Sequence, residues 1–143
     1  MPIKARVSIV TLGVSDLARS TKFYETLGWE RSSESNSSIS FFRTAGGVLA
    51  LYPFDLLAED AKLPAIRAAE FGGITIAINL ERPDDVQPAL EEAARAGGKI
   101  LKPATKADWG GLSGYFADPD GYPWEVAWAP NSIFKQDGSL DLR

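Results

Sequence analysis

Polar and apolar residues alternate through residues 7–14, VSIVTLGV, so that Val10, Leu12 and Val14 share one side and Ile9, Thr11 and Gly13 the other. That is the period of a strand. Ser15 and Asp16 then offer an N-cap, and Leu17, Ser20, Phe23, Tyr24 and Leu27 recur at helical spacing up to Gly28, a C-cap residue. Three short strands follow at 29–33, 39–43 and 48–53, separated by a Ser/Asn-rich turn and by Ala45-Gly46-Gly47. Residues 54–61 suit a short helix, and the stretch from Pro64 to Gly73 has no strong period. From Gly73 the pattern starts again. Ile74, Ile76, Ile78 and Leu80 alternate with Thr75, Ala77 and Asn79, and Pro83, Asp84 and Asp85 open a helix buried through Val86, Leu90, Ala93 and Ala94. A strand at 99–104 and a loop at 106–111 lead to a final hairpin. Each half therefore has the order β-α-β-β-β, and two such units are expected to pack about a pseudo-dyad around a shared concavity.

The final hairpin, residues 109–130, is the most informative stretch. Asp118-Pro119-Asp120-Gly121 has the chemistry of a type I turn with a bulge at Gly121. That register sets Asp118 against Tyr122, Phe116 against Trp124 and Tyr115 against Glu125. Phe116, Trp124, Val126 and Trp128 then form a core face, with Ser113, Tyr115, Glu125 and Ala127 on the other. Glu125 is a carboxylate in a run otherwise built from Trp, Val and Ala. Such a group must be paired, hydrogen-bonded or open to a wet cavity, because isolation costs roughly several kcal/mol.

VTLGVSDLARSTKFYETLGW in the first half and GYFADPDGYPWEVAWAP at the end resemble the vicinal oxygen chelate superfamily, the glyoxalase, bleomycin-resistance and ring-cleaving dioxygenase group, over nearly the whole chain. The resemblance implies an α+β fold of two βαβββ modules whose curved mixed sheet surrounds a cleft. It divides a single domain of residues 1–143 into module one at about 5–53, a linker at 54–72, module two at 73–130 and a C-terminal tail at 131–143. In the family's enzymes the cleft holds a divalent metal on four strand positions. Carried over, these positions are Ile9, Ala50 or Leu51, Thr75 and Glu125, of which Glu125 alone matches. One carboxylate and a hydroxyl are a poor set for a catalytic divalent ion, so no metal and no cofactor are expected.

Composition narrows the chemistry further. The chain has 143 residues with neither Cys nor His, which removes disulfides, thiolate and imidazole ligands, and the usual nucleophile-base pairs. A net charge of −4 without a basic cluster argues against nucleic acid. No segment has the apolar run of a membrane span or signal, and a cytoplasmic location is expected. The expected partner is a small molecule, with the chain as a homodimer.

Strand alternation places Thr11, Thr75, Asn79, Tyr115 and Glu125 toward the cleft, with Trp109 on a loop that could cover it and Phe42, Tyr52 and Phe54 as rim or wall. Each has a structural alternative: Thr11 and Thr75 are good strand formers, Asn79 can cap a strand, and Glu125 can pair with Arg6, Arg43 or Lys102. Three classes of function follow. The protein is a metal-free binder of a small aromatic or cationic compound, an enzyme of altered lyase or oxygenase type with Glu125 as catalytic acid or base, or a regulatory subunit without chemistry.

Overall fold

The computed structural model describes residues 3–67 and 69–142, so Ala68 of the expected linker and Arg143 of the expected tail lie outside the described residues. Module one contains β1 (Ile9–Val14), α1 (Leu17–Thr26), β2 (Ser40–Thr44) and β3 (Gly47–Pro53). A short helix, α2 (Phe54–Asp60), follows. Module two contains β4 (Ile76–Asn79), a 3-10 turn (Pro83–Asp85), α3 (Val86–Arg95), β5 (Lys99–Lys106), β6 (Leu112–Ala117) and β7 (Pro123–Trp128).

The two sheets have matching connectivity. The first strand of each module pairs parallel with the last, giving the orders β1-β3-β2 and β4-β7-β6-β5. The strand expected at 29–33 is reduced to a single bridge, Arg31 to Phe42. Side chains organise the turn that follows it: Asn36 Oδ1 accepts from the amides of Ser38 and Ile39, and Arg31 donates to the Asn36 carbonyl and to Ser40 Oγ. The strand expected from Ile74 begins at Ile76 instead. Its parallel partner runs out there, because Ile76 lies beside Trp124, the second residue of β7, and β7 starts with Pro123, which has no amide hydrogen. By contrast β5 runs two residues past its expected end and carries register shifts on either side of Lys102, next to Pro103.

The expected hairpin forms in full. Asp118 N donates to the Tyr122 carbonyl, Gly121 sits at φ +90°, and Phe116–Trp124 and Tyr115–Glu125 are paired. The core lies on the Phe116, Trp124 and Val126 face, against Phe23 and Tyr24 of α1 and Val86, Leu90 and Ala93 of α3. Module one adds Leu12, Val14, Phe42, Leu49 and Leu51. No helix among the described residues is long and apolar enough to cross a membrane.

Candidate functional site

Glu125 points away from the core because its neighbours Trp124 and Val126 are buried by α1 and α3 and successive strand residues face opposite ways. On that outer face the rungs set Ala77, Glu125, Tyr115 and Lys102 side by side across β4, β7, β6 and β5, with Asn79, Ala127, Ser113 and Thr105 on another. Glu125 and Tyr115 are half-buried. Burial pushes the Tyr115 phenol above its ordinary pKa, and the negative charge of the Glu125 carboxylate opposite adds to the shift. Among the described residues Glu125 takes part in no ion pair, although Lys102 stands on the same face two strands away.

Of the remaining expected site residues, Asn79 shares that face one rung along and the others lie off it. Thr11 is half-buried on β1 beside Ala50. Thr75 is exposed and precedes β4, so Ala77 is the residue level with Glu125. Asn79 ends β4 and lines a groove of about 790 Å³ between the modules, which neither Tyr115 nor Glu125 lines. Trp109 is 56% exposed and lines a separate hollow of about 330 Å³ with the C-terminal segment. Its ring occupies the space a side chain on Gly111 would need, so it anchors its own loop. Phe42 is fully buried in the core and cannot be a rim residue, because β2 turns it toward Tyr24. Phe54 carries the Arg67 guanidinium 4.3 Å above its ring.

The family's metal does not fit this set of positions. Ile9 is aliphatic, Ala50 and Leu51 are fully buried, and Thr75 lies off the Glu125 rung. Among the described residues no three acidic side chains come together as a metal site would require.

A second polar assembly joins the modules, and local reading of the turn missed it. Asp118 is buried; one oxygen accepts from the Tyr24 hydroxyl at 2.7 Å, and the other accepts from the amides of Asp120 and Tyr122. The Trp124 indole donates to the Tyr24 oxygen at 3.1 Å. Burial raises the Asp118 pKa, and the Tyr24, Tyr122 and Asp120 hydrogen bonds partly oppose that rise. The Asp120 side chain is 1% exposed and accepts from the amide and hydroxyl of Ser15 and from Arg67 at 3.1 Å. Tyr122 donates to the Gly13 carbonyl. The signal was the doubled aspartate of the turn, yet its partners lie about a hundred residues away or on the linker, beyond any sequence spacing.

Comparison with known proteins agrees with this architecture. The Glyoxalase/Bleomycin resistance protein/Dioxygenase superfamily matches residues 6–126. Among solved structures, a glyoxalase-related enzyme from Fulvimarina pelagi is 36% identical, with TM-score 0.87 over 97% of this chain and 99% of its own. A glyoxalase/bleomycin resistance protein/dioxygenase from Nocardioides is 27% identical, with TM-score 0.73 over 90% of this chain and 85% of its own. Lactoylglutathione lyase from Agrobacterium tumefaciens is 20% identical, with TM-score 0.66 over 88% and 95%, a likeness of fold alone. No curated protein matches the chain. With a family match that spans most of the sequence and two sheets of the same connectivity, the chain belongs to the Glyoxalase/Bleomycin resistance protein/Dioxygenase superfamily.

Proposed function

We propose that this protein binds a small aromatic or cationic molecule on the outer face of β6 and β7, without the divalent metal of the family's enzymes. The observation that carries the reading is Glu125: a half-buried carboxylate with no cation paired to it among the described residues, opposite a tyrosine that offers an aromatic wall and a hydroxyl. A carboxylate so placed favours a ligand that brings a positive charge or a hydrogen-bond donor, and an aromatic ligand gains contact area on Tyr115.

A thermal-shift screen of aromatic amines against their neutral isosteres tests it. The amines are expected to raise the melting temperature more than the isosteres do. Glu125→Gln keeps the shape and removes the charge, and is expected to reduce amine affinity by roughly 1–3 kcal/mol, the scale of a lost charge-assisted hydrogen bond. Equal affinity in the two proteins would remove Glu125 from the site. A large loss of stability with no ligand present would assign the carboxylate a structural role.

A further inference from the structure

The 790 Å³ groove meets the Glu125 face only at its β4 edge, through Ala77 and Asn79, is lined by neither Glu125 nor Tyr115, and has the volume of a small-molecule cavity. Val10 and Leu49 form one wall, Ile76 and Ile78 the facing one, and Trp29 and Trp124 meet edge to face 5.5 Å apart between them. Another side is made by Phe134, Gly138, Ser139 and Leu140, which follow β7 in the chain, and Glu30 and Arg43 are the charged residues of the lining. These residues belong to a small hairpin bridged from Phe134 to Leu140.

We propose that this groove is a ligand site for a flat, largely apolar aromatic molecule, and that the C-terminal hairpin is the strap that opens and closes it. The hairpin is held together from within. Lys135 donates to the Ser139 carbonyl, Gly138 to that of Lys135 and Asp141 to that of Ile133, while Asp137 Oδ1 accepts from both the amide and the hydroxyl of Ser139. Its contact with module one is of a different kind. A Cβ on Gly138 would lie 3.7 Å from Ala45 Cβ, and one on Gly46 would lie 3.5 Å from Ser139 Cβ, so the tip rests on the β2–β3 turn by van der Waals contact. Among the described residues no hydrogen bond joins residues 133–142 to module one. Lifting the strap therefore breaks no hydrogen bond to module one among the described residues, and it can move as a unit about the turn in which Ser132 donates to the Ala129 carbonyl. A ligand that enters meets the apolar walls and the partly exposed ring of Trp29, held in place edge to face by the buried Trp124, and a planar ring system is the shape that stacks there.

The chain has no cysteine, so an engineered pair reports cleanly. In Ala45→Cys/Gly138→Cys the Cβ separation of 3.7 Å falls within the range of about 3.5–4.5 Å that a disulfide spans. The probe is anilinonaphthalene sulfonate, whose emission rises in an apolar site, followed by stopped flow. The oxidised variant is expected to take up and release the probe several-fold more slowly than the same variant reduced; the reduced form carries any strain from Cys at the positive φ of Gly138 and serves as its control. Val10→Gln, which adds a polar group but no charge for the probe's sulfonate to pair with, is expected to weaken probe binding several-fold. Should that variant lose its near-ultraviolet circular dichroism, Ser8→Trp at an exposed position fills the same space and takes its place. Equal rates before and after oxidation, or a pair that does not oxidise, would overturn the strap. Unchanged affinity in the groove variant would overturn the site. Glu125→Gln tests the other face, so either reading can fail alone.

Discussion

Tyr24 shows how much one hydroxyl can hold. It donates to Asp118 and accepts from Trp124, all three buried, so Tyr24→Phe strands a carboxylate oxygen and an indole N–H together. The expected loss at neutral pH is roughly 1–3 kcal/mol. Because the Tyr24 hydrogen bond lowers the Asp118 pKa, it stabilises the charged form. The deficit should therefore shrink as the pH falls and Asp118 takes up a proton, which urea denaturation of both proteins at two pH values checks. Tyr115 gives a converse case. Its pKa is raised, first by burial and then by Glu125, so its contribution to stability is present below the ordinary tyrosine range and is lost as the pH climbs through the folded value. Glu125→Gln should move one tyrosine midpoint downward in an ultraviolet titration; an unchanged curve would separate the two side chains.

Glycines set the turns and crossings of the strands, and two of them should respond differently to alanine. At Gly121 nothing lies within 4 Å of an added Cβ, so the positive φ alone opposes Gly121→Ala, at about 1–2 kcal/mol. At Gly114 the Cβ would meet Leu90 Cδ1 at 2.5 Å and the Lys102 carbonyl at 2.7 Å. Gly114→Ala should cost more, since α3 and β5 would both have to retreat. Thermal melts of the pair decide it, and equal losses would show that the helix yields easily. These elements also mark what the sequence made legible. The hairpin register followed from turn chemistry and alternation, both local, and Tyr115–Glu125 came with it. The strand read at 29–33 is only a bridge in the fold, because Asn36 turns the chain at Ser38 and Ile39 and Arg31 reaches across to its carbonyl, contacts that no alternation signals. Nothing in the period of residues 133–142 announced a hairpin against Ala45, and Phe42 looked like any alternating strand residue until Tyr24 covered it.

For the molecule as a whole, two expectations concern composition and assembly. Elemental analysis of the dialysed protein should find no stoichiometric Zn, Ni, Mn or Fe, since Ile9, Ala50, Leu51 and Thr75 offer that ion no adequate set of donors. About one metal per chain would displace the proposed function. The protein is expected to be a homodimer, because β1 and β4 each leave one edge unpaired among the described residues, and Ile9 and Ile74 stand exposed on or beside them. Light scattering should give about twice 15.5 kDa, and a mass near 15.5 kDa would reject it.

The Asp118–Tyr122 turn has a consequence for how the chain comes apart. Through Tyr24, Ser15, Gly13 and Arg67 it gathers the end of β1, the helix α1 and the linker onto one turn of module two. Two modules of similar topology could each melt at a temperature of its own; joined there, they should melt together, in one transition whose calorimetric and van't Hoff enthalpies agree. Asp120→Ala with Arg67→Ala cuts the outer half of that junction and leaves both sheets intact. In that variant the van't Hoff enthalpy should fall below the calorimetric one, as the modules regain separate thermal lives.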